Sequence, residues 1–183
     1  MVEMARVCWG ITGSGDHIEE TLDAMITLQK ETDARVDVIV SKAAEQVLRW
    51  YKIWDRLIEA FSKVKKETNA NVPFVAGPLQ LGRYDILIVA PLTANSTAKI
   101  AYGIADTLVT NAVAQTLKGN TPVLLFPVDQ VPGEIDTVAH DGTSFSIKTR
   151  QIDLENAQRV REMLGVTIAA SPQNLLELAM ALL

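Results

Sequence analysis

The chain has 183 residues, 48% hydrophobic and 21% charged, with a formal net charge of −5. That size and balance fit a single domain over residues 1–183 with a core of its own and exclude long disorder. The longest apolar runs, 86–91 and 123–128, fall far short of the ~20 residues a membrane-spanning helix needs.

One cysteine excludes a disulfide framework, and Cys8, inside an apolar run, fits a buried small hydrophobe. The two histidines, His17 and His140, lie too far apart in sequence to suggest a metal centre. The acidic balance argues against general nucleic-acid binding. Residues 1–6 carry one acid and one base and do not resemble a secretory signal, so the expected location is cytoplasmic.

In chain order, residues 5–12 are apolar and β-leaning and run into the glycines of Gly10-Ile-Thr-Gly-Ser-Gly15. Helical spacing follows over 16–31, where Ile18, Leu22, Met25, Ile26 and Leu28 lie mostly on one side. A second strand is expected over 35–41, a long helix over 42–68 and a short strand over 72–76. Residues 84–90 form a buried-strand pattern closed by Pro91, which is expected to end the ladder. Two helices, 93–102 and 106–118, are separated by Gly103, and a further buried strand spans 121–128. Residues 129–149 hold Pro132, Gly133 and Gly142 without periodicity, which predicts a long loop that could contain a hairpin. A helix over 154–164, a strand over 166–170 and a last helix opened by Ser171-Pro172 complete the chain.

Strands alternating with helices predict an α/β fold: a doubly wound, mostly parallel open sheet of five or six strands, Rossmann- or flavodoxin-like. Ligands of such sheets bind outside the carboxyl ends of the strands at the topological switch. Three loops there carry chemistry. Gly10–Gly15 offers backbone amides and the Thr12 and Ser14 hydroxyls to an anion, without the dinucleotide G-x-G-x-x-G spacing or a P-loop ending. The second strand ends in Val40-Ser41-Lys42, where a dinucleotide site would place an acid for the ribose; this suits a mononucleotide phosphate, and Ser41 equally suits a plain helix cap. Pro91-Leu-Thr-Ala-Asn-Ser96 supplies short donors at Thr93 and Ser96, room at Ala94, and both donor and acceptor at Asn95, a set able to read a flat heteroaromatic ring.

Taken in order, Gly10–Gly15, Ser41, Pro91–Ser96 and Gly103-Ile-Ala-Asp-Thr-Leu-Val-Thr110 resemble the homo-oligomeric flavin-containing cysteine decarboxylase family. That family's Pro-Ala-Ser-Ala-Asn-Thr signature is matched at Pro91, Ala94 and Asn95. The resemblance implies an FMN cofactor. Its phosphate would lie near Thr12, Gly13, Ser14, Gly15 and Ser41. Its isoalloxazine would lie by Pro91, Thr93, Ala94, Asn95 and Ser96 and by Ala105, Asp106, Thr107 and Leu108. It further implies a site at a subunit boundary in homo-oligomers built from trimers. The decarboxylases' Pro-x-Met-Asn-x-x-Met-Trp is replaced by Pro127-Val-Asp-Gln-Val-Pro-Gly133, and no histidine lies in 69–74, so cysteine decarboxylation is not expected.

Trp9-Gly-Ile-Thr-Gly13, Trp50-Tyr-Lys-Ile-Trp54 and Ala98-Lys-Ile-Ala-Tyr-Gly-Ile-Ala-Asp-Thr-Leu108 are more similar to the branch of archaeoflavoprotein A and the flavin-dependent dihydromethanopterin reductases. This implies electron uptake from ferredoxin and transfer to an iron–sulfur flavoprotein or a pterin; a prenyltransferase-like use of the flavin is the alternative. One-electron transfer needs no side-chain acid or base, so no catalytic residue is assigned. Pterin reduction would need a proton source, which the motifs do not name.

On the expected helix 42–68, Lys42, Arg49, Arg56 and Lys63 recur every seven residues, with Lys52 beside them. Such a stripe would steer an acidic ferredoxin, or would simply be a solvated face of Glu45–Arg49 and Glu59–Lys63 pairs. Trp50 and Trp54 share a face as core or oligomer contacts, or as a wall over the flavin.

Overall fold

The central strands are buried on both faces, and their period of two sends successive side chains into two separate apolar layers. In β1 (Arg6–Ile11), Val7, Trp9 and Ile11 face one layer and Cys8 the other. In β4 (Ile86–Leu92), Ile86, Ile88 and Ala90 face the first, and Leu87, Val89 and Leu92 the second. The first layer is covered by α1 (Ile18–Thr32) through Leu22, Met25 and Leu28, and by α8 (Pro172–Leu182) through Leu175 and Ala179. The second is covered by α6 (Leu108–Thr116) through Leu108, Val109, Ala112 and Val113. Each large side chain buried this way contributes about 1.5–3 kcal/mol, so the two apolar layers dominate stability and leave the strand ends free for polar chemistry. This computed structural model describes residues 4–183; Met1–Glu3, half of the stretch compared with a secretory signal, lie outside the described residues.

The six-stranded sheet is parallel throughout, in the order β3-β2-β1-β4-β5-β8, with β2 at Arg35–Val40, β3 at Lys63–Lys66, β5 at Val123–Pro127 and β8 at Val166–Ile168. The fold is thus the doubly wound α/β sandwich expected. The order reverses between β1 and β4, which makes their carboxyl ends the switch point. No described helix is long and apolar enough to cross a membrane.

Three expectations need correction. Residues 42–68 are not one helix: α2 (Lys42–Trp50) and α3 (Trp54–Ala60) are separated by a turn in which Lys52 adopts φ 58°, and the chain then enters β3. The stripe residues therefore lie on two helices, a turn and a strand, and the Trp50–Trp54 helical pairing is lost. Residues 72–76 form no strand; α4 (Ala76–Gln80) begins there. Pro91 does not end its ladder, because β4 runs on to Leu92 with a register shift between Val89 and Leu92. The long segment 129–149 does contain the antiparallel hairpin its sequence allowed, β6 (Glu134–Val138) with β7 (Ser144–Lys148). Of the remaining helices, α5 (Ala94–Ala101) follows β4 directly, and α7 (Gln151–Arg161) packs against α5.

Candidate functional site

All the loops singled out from the sequence meet at the carboxyl edge of the sheet. Thr12 pins two of them together. Its hydroxyl, buried at 2% exposure, donates to the Pro91 carbonyl (2.8 Å) and accepts the Thr93 amide (2.9 Å). Thr12 therefore sets the distance between the glycine loop and the loop after β4, and its hydroxyl is engaged within the protein. The buried Ser14 makes one long contact, its hydroxyl to the Asp16 carbonyl at 3.3 Å.

Ser41 caps α2, accepting the Ala44 amide at 3.1 Å, which leaves its own proton for an outside acceptor. The glycine loop lies hard against this helix. A Cβ on Gly13 would sit 2.6 Å from the Ala43 Cβ and 3.0 Å from its carbonyl carbon, so only glycine permits the loop carrying Ser14 to approach the first turn of α2, which Ser41 caps. Glu67, just past β3, was not identified from the sequence. Its carboxylate accepts the Lys42 amide (3.0 Å) and the Leu108 amide (2.8 Å), joining the N-termini of α2 and α6. The α6 end is fixed further by the Thr107–Thr110 capping box.

After β4, Thr93 caps α5, and its hydroxyl donates to the Ser96 hydroxyl at 3.1 Å. Asn95 is exposed and makes no side-chain hydrogen bond with the described residues, so its amide is free to meet a ligand. Pro91 is buried, and Ala94 and Ala105 are half-buried. Asp106 is exposed and takes both its oxygens to Lys99 (2.8 and 2.9 Å), closing the loop between α5 and α6. The structure thus brings every expected site residue to one edge. It engages Thr12, Thr107, Leu108 and Asp106 in holding that edge, and leaves the exposed Asn95 amide and the proton of the buried Ser41 hydroxyl without a partner among the described residues.

Tyr51 is a second feature missed. A Cβ on Gly15 would lie 2.3 Å from its hydroxyl, and that hydroxyl donates to the Val138 carbonyl of the hairpin at 3.1 Å. Beside it the His140 ring stacks on Trp50, centroids 5.4 Å apart, so the hairpin tip rests on the end of α2. The Asp16 carboxylate accepts the Thr137 hydroxyl on the same side. Between α1 and the hairpin runs a cavity of about 420 Å³ lined by Asp16, Glu19, Glu20, Asp23 and Asp136. That acidic lining repels a phosphate, which is better served on the Ser14–Ser41 side.

At the end of β5, the Val128 amide donates to the Leu92 carbonyl (3.1 Å), setting Asp129 beside α5. Burial, then the charges of Asp153 and Asp16, push the Asp129 carboxyl above the usual carboxylate range, against the pull of the Ala94 amide and Arg150. Arg150 does not neutralise it because its guanidinium grips Asp153 with two bonds (2.7 and 2.8 Å). That bidentate pair holds Asp153 below the ordinary range. Cys8 lies on the other layer, fully buried, its thiol pushed up to about 12, mainly by burial.

The Flavoprotein family model matches residues 1–181. The chain belongs to the Flavoprotein family. An uncharacterized protein of Methanocaldococcus jannaschii is 44% identical to this flavoprotein over 94% of the chain and 92% of the relative. A dihydromethanopterin reductase (acceptor) of Methanosarcina mazei is 30% identical over 94% of the chain and 98% of the relative. The crystal structure of Burkholderia xenovorans DmrB in complex with FMN, described as a cubic protein cage for redox transfer, superposes with a TM-score of 0.81 at 33% identity. It covers 100% of this chain and 95% of that one. The flavoprotein therefore stands in the branch of the dihydromethanopterin reductases.

Proposed function

We propose that this flavoprotein binds FMN at the switch point and uses it for redox transfer, taking electrons from an iron–sulfur donor of ferredoxin type and passing them to a reducible acceptor. The observation that carries the reading is the exposed, unengaged Asn95 amide, set on the edge where Ser14 and Ser41 place hydroxyls beside Gly13. A phosphate only accepts hydrogen bonds, and the Ser41 proton and the amides of the glycine loop are donors. The edge of an isoalloxazine both donates and accepts, as Asn95 does. The chain's residues hold, orient and shield; bound FMN would supply the one-electron and hydride chemistry.

The acceptor favoured here is a dihydropterin, because the Methanosarcina mazei relative that matches nearly end to end is named for that substrate class. An iron–sulfur flavoprotein as acceptor is the alternative outcome of an anaerobic assay with both. Assembly into a homo-oligomer built from trimers is proposed on the cage described for the Burkholderia xenovorans relative. The cofactor is tested by mass spectrometry of the species released from purified protein; FAD as the main species would overturn the reading. Asn95→Ala is expected to weaken FMN binding by about 0.5–1.5 kcal/mol, the worth of one hydrogen bond to a neutral partner. Titration of deflavinated protein checks it, and unchanged affinity and potential together would remove Asn95 from the site.

The donor leaves a separate trace. Arg49 and Lys66 pair with Glu45, and Arg56 pairs with Asp23. Among the described residues Lys42, Lys52 and Lys63 make no ion pair and are exposed. Reversing Lys52 and Lys63 to Glu is expected to slow reduction by ferredoxin most at low salt, since screening acts over ~10 Å at 0.1 M, and to leave dithionite reduction much less affected. Equal ferredoxin rates across a salt series would show the patch to be an ordinary solvated face.

A further inference from the structure

We propose that Asp129 is the proton donor of this site, delivering a proton to the imine nitrogen of a dihydropterin-class acceptor as its C=N bond is reduced. The proposal rests on the redox reading above and adds to it the residue that a two-electron reduction requires. Asp129 leaves the end of β5, next to the switch point, where the Val128–Leu92 hydrogen bond carries the strand pairing on past the sheet. Its carboxyl lies between the Ala94 amide at the start of α5, Asp16 at the end of the glycine loop, and the Arg150–Asp153 pair of α7. These are the charged and polar groups that act on it from the glycine loop, α5 and α7. It makes no side-chain hydrogen bond or ion pair with another side chain among the described residues.

Half-burial and the two neighbouring carboxylates favour retention of the proton and outweigh the opposing pull of the Ala94 amide and Arg150. Asp16 and Asp153 are anions, and the cation within reach is bound to Asp153. A carboxyl kept protonated nearer neutral pH is the state in which it serves as a general acid. A hydride from the reduced flavin adds to the imine carbon, and the C=N π pair moves to nitrogen. The nitrogen takes the proton of Asp129, and the carboxylate recovers one from water. The acceptor gains two electrons and two hydrogens, and the flavin is oxidised by two electrons.

A purely structural role makes a different forecast. If Asp129 only accepts the Ala94 amide to cap α5, the amide oxygen of Asn serves as well. Asp129→Asn is therefore the test, with flavin content per chain as the loading control. With pre-reduced protein and dihydropterin, the variant is expected to lose at least about a hundredfold in single-turnover rate, with the pH dependence of that rate flattened, and Asp129→Glu to recover part of it. A second readout needs no turnover. The folded-state pKa of Asp129 lies above its unfolded value, so its contribution to stability is fully present below the unfolded value of about 3.9 and is lost as pH rises through the folded one. Asp129→Asn should therefore melt higher than wild type at neutral pH, with the difference vanishing in acid. A fully loaded Asn variant with the wild-type rate and pH profile overturns the assignment while leaving the redox reading intact. A flavin-loaded wild type that accepts electrons yet never reduces the pterin overturns the acceptor, and the proton donor with it.

Discussion

Gly13→Ala is expected to cost about 1–3 kcal/mol of stability and to strip the protein of its flavin. The methyl group would meet the Ala43 Cβ at 2.6 Å, the Ala43 carbonyl carbon at 3.0 Å and its oxygen at 3.2 Å. Two of those atoms are backbone in the first turn of α2, so no side chain can swing aside to relieve the overlap. Relief must come from parting the glycine loop and α2, and that parting separates Ser14 from Ser41. Gly15→Ala is the instructive contrast. Its methyl would strike the end of the Tyr51 ring, which can retreat by giving up its bond to Val138. Chemical denaturation and flavin content measured on both variants separate the two. If Gly13→Ala holds wild-type stability and flavin, the loop is not locked to α2 as described.

What the sequence made legible follows the strength of burial. β1, β4 and β5 are apolar on both faces because both faces are covered, and they stand out as short continuous apolar runs. The carboxyl ends of β1 and β4, and therefore the loops at Gly10–Gly15 and Thr93–Ser96, are legible in the sequence, and the apolar end of β2 marks Ser41 in the same way. β3 could not. Lys-Val-Lys-Lys is an edge strand, paired on one side only, and its lysines suit an edge that must not pair with another chain. Nothing in its pattern opposed continuation of the helix that precedes it. The break at Lys52 was hidden for a related reason, since a non-glycine residue at φ 58° leaves no compositional mark. The hairpin β6–β7 half-buries Ile135, Thr137 and Ile147 and leaves its other residues exposed, so its sequence carries too little apolar face to mark where its strands lie.

Those misplacements explain which site residues went unseen. Placed on a helix, Glu67 belonged to a solvated last turn; placed after an edge strand, it reaches two helix N-termini. Tyr51, which has no assigned role on a continuous helix where Trp50 and Trp54 share the face, ends α2 and turns over Gly15. Asp129 stood in a segment noted for failing to match the decarboxylases. Its environment comes from Asp16 and Asp153, 113 and 24 residues away in sequence, a proximity that only the fold creates.

Glu67→Ala is the other substitution with a large expected effect, about 1–3 kcal/mol, because one side chain serves as the acceptor for two helix ends. Removing it leaves the amides of Lys42 and Leu108 without their partner, and a helix N-terminus without an acceptor loses the favourable field of the carboxylate as well. The two helices carry opposite sides of the proposed cofactor site, α2 behind Ser41 and α6 behind Thr107 and Leu108. Their loss of register should therefore weaken FMN binding beyond the change in global stability. Glu67→Gln discriminates the causes. Its amide keeps one acceptor oxygen and no charge, so it can hold one helix end while the other goes unpaired, and it should fall between wild type and Ala in both denaturation midpoint and flavin affinity. If Glu67→Ala unfolds at the wild-type midpoint and binds FMN as tightly, the two helix ends are positioned by packing alone, and the bridge between them is incidental.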